Sequence, residues 1–132
     1  MDALAENDCF LSRYSRWFNE RLYAACESLS DAERKRDRGA FFGSIHLTLN
    51  HLVWADTVWL GRFARQGCDF ASLSAPLLRL PQGANHRTEL FGDFSALRAH
   101  RARLDAAIDA WVADMPPRAG HDFADASGCG SG

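Results

Sequence analysis

His51 is one of five histidines in the chain and stands inside residues 41–66, a segment that is apolar around most of its circumference. Phe42, Ile45, Leu49, Leu52, Trp59 and Phe63 recur there at steps of three and four, the spacing of one helical face. His51 lies beside that stripe, on a second strip with Leu47, Trp54, Ala55 and Val58. A helix apolar on most sides belongs in the middle of a bundle. An imidazole placed there needs a partner for each ring nitrogen, so two readings stand. His51 is either a core histidine hydrogen-bonded at both ends or one ligand of a metal site. His46 does not join it from the same helix, because five residues leave the two side chains about 140° apart. His86 falls in a connection, His100 on a later helix and His121 near the C-terminus, and no H-x-x-x-H pair puts two ligands on one helical face.

Asp56 and Arg101 form the second constellation. Each is the single charged member of an apolar stripe, Asp56 between Leu52 and Trp59, Arg101 between Leu97 and Leu104. Isolated buried charges are costly and tend to pair. If the two helices run parallel, Asp56 sits ~21 Å along from Phe42 and Arg101 ~16 Å along from Leu90, within reach of an arginine. A structural ion pair is expected, against the alternative that each side chain snorkels separately to water. Asp105, four residues after Arg101, competes for the same guanidinium. Other chemistry has little support. There is no G-x-S-x-G elbow, no cysteine beside a histidine in a polar segment, and no glycine loop placed to cradle phosphate.

These residues need elements to hold them, and the sequence predicts three long helices. The first covers Leu4 to Leu29, with Phe10, Leu11, Tyr14, Trp17, Phe18, Leu22, Ala25 and Leu29 as its expected inner side. Ser30-Asp31-Ala32-Glu33 then has the form of a capping box, predicting a short turn of helix over 31–36 that Gly39 interrupts. The second long helix is 41–66, stopped by Gly67. Residues 67–87 carry Gly67, Pro76, Pro81 and Gly83 and keep no helical period. The third helix starts near Thr88 with the stripe Leu90, Phe94, Leu97, Arg101, Leu104, Ile108, Trp111 and Met115, and ends at Pro116-Pro117. The tail 118–132 is given no regular structure. A connection of about twenty residues can travel back along a whole helix, so the second and third helices are expected to be parallel. Three helices this apolar leave a groove that a fourth would fill, and no fourth helical segment is evident in the sequence.

Composition narrows the classes further. The 132 residues, 47% of them apolar with nine phenylalanines and four tryptophans, are expected to form one domain, 1–132. A net charge of −2 gives no general reason to bind nucleic acid. The basic cluster Arg34, Lys35, Arg36 and Arg38 is interleaved with acids and reads as a solvated loop. No apolar run approaches the ~20 residues of a membrane span, and the acidic N-terminus lacks an apolar signal core. Cys9, Cys26, Cys68 and Cys129 form no C-x-x-C, so reduced structural thiols and a cytoplasmic location are expected.

Three stretches resemble the motifs of the DinB family. Tyr14-Ser-Arg-Trp17-Phe-Asn19-Glu-Arg-Leu22 is similar to its first-helix motif, and Phe41 through Leu60, with Ile45, Leu49, His51, Asp56 and Trp59, to its second. Phe94-Ser-Ala-Leu97 followed by Arg101, Asp105 and Trp111 fits its third helix. The likeness runs to about Gly128, and the second-helix motif is the most specific part. It implies an all-α, up-down-down-up four-helix bundle. It also implies a divalent metal, zinc or nickel, held by three histidines: one at the position of His51 and two in an H-x-x-x-H on the fourth helix. The implied activities are transfer of a low-molecular-weight thiol or metal-dependent hydrolysis or isomerisation of a small molecule, in a protein that forms homodimers. The segment from His121 to Gly128 looks like the lead-in to that fourth helix, which is expected to be missing here, so only His51 carries over as a ligand and tight metal binding by this chain is not expected. A non-catalytic helical module that pairs with a copy of itself or a partner helix through the open groove is the alternative.

Overall fold

A computed structural model of the chain describes residues 3–65 and 76–114. Four helices carry it: α1 (Ala3–Glu27), α2 (Asp31–Lys35), α3 (Ile45–Arg65) and α4 (Phe94–Ala113). Among the described residues every regular element is helical, apart from one isolated bridge between Ala40 and Gly43. The expected ends at Gly67 and Pro116-Pro117, the tail 118–132, and Cys68, His121 and Cys129 lie outside the described residues.

The direction of each long helix follows from the contacts. Ser12, Asn19 and Glu27 of α1 meet Asp109, Asp105 and Arg98 of α4 in that order, so α1 and α4 are antiparallel. Asp56 meets Arg101 and Phe63 meets Trp111, so α3 and α4 run parallel. The three long helices therefore run up, down, down, and the parallel pair is the one the long connection requires. A shared core joins them, with Leu49, Val53 and Leu60 of α3 and Leu97 and Leu104 of α4 around Tyr23 and Cys26 of α1.

Local chemistry explains the boundaries that differ from expectation. The second long helix begins at Ile45 rather than 41, because Gly43 takes a left-handed φ of 90° and Ser44 caps the new start, its hydroxyl accepting from the Leu47 amide at 3.1 Å. The third begins at Phe94 rather than Thr88. Asn50 of α3 accepts from the Phe91 amide at 2.8 Å and donates to the Phe91 carbonyl at 3.3 Å, removing both groups from any helical ladder. Asp93 then caps α4 by accepting from the Ala96 amide at 2.9 Å. The short α2 forms where the capping box places it, with Ser30 and Glu33 bonding reciprocally.

Three expectations about burial are corrected. The inner side of α1 is Cys9, Tyr23 and Cys26, while Phe10, Leu11, Tyr14, Trp17 and Phe18 are half or more exposed. The reason is that α1 docks on α4 through a polar seam, Ser12 and Arg16 to Asp109 and Asn19 to Asp105, which turns its aromatic stripe away. On α3, Leu52, Trp59 and Phe63 are exposed, and the buried face includes the polar His46, Asn50 and Thr57. In the basic cluster Arg34 is buried rather than solvated. It donates to the carbonyls of Cys26 and Leu29 at the end of α1, and its guanidinium lies 4.1 Å from the Phe94 ring centroid. A cation on the last carbonyls of a helix also meets the negative end of its dipole. Cys26 is a free buried thiol, with burial raising its pKa, whereas Cys9 is disulfide-bonded, contrary to the expectation of reduced thiols.

Candidate functional site

His51 projects from the first half of α3 toward the connection that precedes α4. Its ring stacks on Phe42 at a centroid distance of 4.0 Å and 22°, and on Trp54 at 5.8 Å and 29°. Trp54 in turn meets the exposed His86 ring edge-on at 6.3 Å. Two stacked neighbours fix the imidazole plane, and a third contact fixes its tautomer. His51 Nδ1 lies 3.1 Å from the His86 main-chain carbonyl. A carbonyl only accepts, so in the neutral imidazole Nδ1 carries the proton and the lone pair lies on Nε2. Such a tautomer is the one a metal-ligating histidine needs, with the outer nitrogen anchored to a carbonyl.

The other histidines are placed differently. His46 is 1% exposed and has its Nε2 2.9 Å from Glu89 Oε1, off the line of an aligned hydrogen bond. His100 sits on α4 against Phe91 at 4.9 Å, and burial, with Arg103 and Arg101 nearby, lowers its pKa. Among the described residues no group of three or more His, Cys, Asp or Glu side chains could hold a metal ion. Among the described residues His51 therefore has no second or third metal-binding side chain grouped with it.

The structure brings Asp56 and Arg101 together, with Arg101 Nη2 2.7 Å from Asp56 Oδ2. Arg101 also reaches Asp105 through both Nε (3.0 Å) and Nη2 (2.6 Å), so the competitor joins the pair instead of displacing it. Asn19 of α1 donates to both Asp105 oxygens at 3.2 Å. This network ties all three long helices. Burial opposes the charge on Arg101, but Asp105 and Asp56 outweigh it and its pKa rises. Burial raises the Asp105 pKa, with Arg101 and Asn19 pulling the other way.

Two positions that shape the surroundings of His51 were not evident beforehand. Asn50 is a buried polar residue in the apolar segment, at the i−1 position to His51, and it positions the connection that presents the His86 carbonyl. Glu89, in the same connection, brings its Oε1 to 2.9 Å from His46 Nε2. A polar residue at helical spacing within an apolar face was the available signal for Asn50; nothing local marks Glu89.

Residues 5–127 match a family model described as the DinB family. No curated protein and no solved structure matches the chain. No described helix is long and apolar enough to cross a membrane.

Proposed function

The chain belongs to the DinB family, and on that footing we propose that it is a divalent-metal-binding protein of the metal-dependent hydrolase or thiol-transferase class, with His51 as a zinc or nickel ligand. The observation that carries this reading is the bond from His51 Nδ1 to the His86 carbonyl. It leaves Nε2 as a lone-pair donor on a ring already immobilised by Phe42 and Trp54, so little ordering entropy remains to be lost on ligation. A bound metal would act there as a Lewis acid, lowering the pKa of a coordinated water or thiol toward neutrality. The proposal requires further ligands from outside the described residues, since none of the described carboxylates, thiols or imidazoles completes a set.

Calorimetric titration of the full chain with Zn²⁺ and Ni²⁺ tests it. Saturable binding that His51→Ala weakens at least about tenfold, a removed ligand being worth more than 1.4 kcal/mol, is the expected result. His86→Ala, which keeps the main-chain carbonyl, should leave binding close to wild type. Metal affinity unchanged in His51→Ala would sink the assignment.

The exposed aromatic faces favour a second reading, a module that pairs with a copy of itself or a partner helix. Phe10 is 65% and Trp17 51% exposed on α1, and Trp59 56% on α3. Contiguous apolar surface of this kind is uncommon on monomers. Sedimentation at micromolar concentration discriminates: a concentration-dependent dimer lost in Trp17→Gln supports pairing, and a monomer throughout opposes it.

A further inference from the structure

Between α1 and α4 the helices frame a half-open chamber of about 190 Å³. Asn19, Glu20 and Tyr23 line it from α1, and Arg101, Ala102 and Asp105 from α4. At about 30 Å³ for each water, that is room for roughly six waters or a molecule of similar bulk.

Buried hydrogen-bonding capacity is left unspent on its wall. Tyr23 is 2% exposed, its ring packed on Phe94 at 5.7 Å, yet its hydroxyl has no hydrogen-bond partner among the described residues. Arg101 is 3% exposed. Its Nε and Nη2 are committed to Asp105 and Asp56, while Nη1 makes no hydrogen bond among the described residues. Asp105 Oδ1 accepts from both Arg101 and Asn19, but Oδ2 accepts from Asn19 alone. Buried polar groups in native proteins are nearly always satisfied. A wall that carries both donors and a carboxylate oxygen suits an occupant that accepts and donates in turn.

Charge selects among occupants. Arg101 is already faced by two carboxylates, and Arg98, the other cation on the wall, is tied to Glu27 at 2.6 Å. An anion would meet Glu20 and Asp105 without a free cation, and an ammonium would be pressed against Arg101. We propose that this chamber binds a small neutral molecule bearing a primary carboxamide. Its carbonyl accepts from Arg101 Nη1 and the Tyr23 hydroxyl, and its NH₂ donates to Asp105 Oδ2 and Glu20. The site stands apart from the metal reading, because His51 lies on α3 and contributes nothing to this wall.

Titrating the full chain with butyramide, butyrate and butylammonium, followed by ¹H–¹⁵N NMR at the Arg101 side chain and the Asn19 amide, tests it. Butyramide is expected to give saturable shifts at both, with butyrate and butylammonium weaker by about tenfold or more, the worth of one good hydrogen bond. Tyr23→Phe should weaken butyramide by a similar factor. Ala102→Leu, which fills the chamber from an exposed helix position without touching a polar group, should abolish the shifts in a spectrum otherwise unchanged, and it serves where Tyr23→Phe alters folding. Equal or tighter binding of either ion, or Ala102→Leu leaving the butyramide shifts intact, overturns the proposal. Absence of saturable shifts with butyramide does the same and makes the chamber a water cavity.

Discussion

Replacing Arg101 by Met isolates the energetics of the buried network. Methionine keeps the apolar stem that packs between Leu97 and Leu104 and removes only the guanidinium. The three charges are not equivalent. The Asp105 and Arg101 side chains are each 4% exposed, whereas that of Asp56 is 44% exposed. Without Arg101, Asp105 becomes a buried carboxylate held by Asn19 alone, and breaking a buried pair from one side costs about 3–5 kcal/mol. Asp56→Asn, in contrast, leaves the buried pair intact and removes a half-solvated partner, a loss of about 0–1 kcal/mol. Against a domain stability of about 5–15 kcal/mol, the first change is a large fraction and the second is not. The pH dependence has a definite sign. Burial already raises the Asp105 pKa, and removing Arg101 raises it further. An acid whose folded pKa exceeds its unfolded value of about 3.9 contributes stability that is full below that value and is lost as pH rises through the folded pKa. The Arg101→Met penalty should therefore be greatest at neutral pH and shrink on acidification toward pH 4. Urea unfolding followed by tryptophan fluorescence and far-UV circular dichroism, at several pH values, measures both effects. An Asp56→Asn cost equal to that of Arg101→Met, or an Arg101→Met cost below about 1 kcal/mol with no pH dependence, would refute the reasoning.

Three further outcomes are expected. Asn50→Leu leaves the Phe91 amide and carbonyl without their partner, so it should cost about 1–3 kcal/mol and speed amide exchange at Phe91; unchanged exchange would mean the stitch is not formed. Phe10→Gln and Trp17→Gln should each shift stability by no more than about 0.5 kcal/mol, because both rings face solvent; a loss of several times that in dilute monomer would show a covered face. Cys26 should resist maleimide at pH 8 in native protein and react on unfolding, since burial both shields the thiol and raises its pKa; labelling at the rate of an unfolded control would contradict that placement.

The helices and their order were readable from periodicity, and the parallel α3 and α4 from the length of the chain joining them. The capping box at Ser30 and the meeting of Asp56 with Arg101 were readable for the same reason: both depend on spacing along one or two helices. What sequence periodicity misjudged was the side of α1 that is buried. A stripe of Phe10, Tyr14 and Trp17 is the stronger hydrophobic signal, yet Ser12, Arg16 and Asn19 find aspartates on α4, and that match lies some 90 residues away in sequence. Hydrophobic pattern carries no information about such pairings. The same limit hid Glu89 and the His86 carbonyl, which reach α3 only through the conformation of the connection. For His51, the sequence marked the residue but could not choose between its two tautomers; the main-chain oxygen opposite Nδ1 does.

Arg34 bears on the order in which the molecule assembles. It reaches carbonyls only five and eight residues back in the chain, so closing that loop forfeits little entropy and can precede any long-range docking. The contacts between α1 and α4 join residues 71 to 97 positions apart and have to wait until the intervening chain has been laid down. A transition state built on this plan holds the corner of α1 and α2 already formed, with the seam from Asn19 to Ser12 still open. Substitutions at that corner would slow folding, while those along the seam would mainly hasten unfolding.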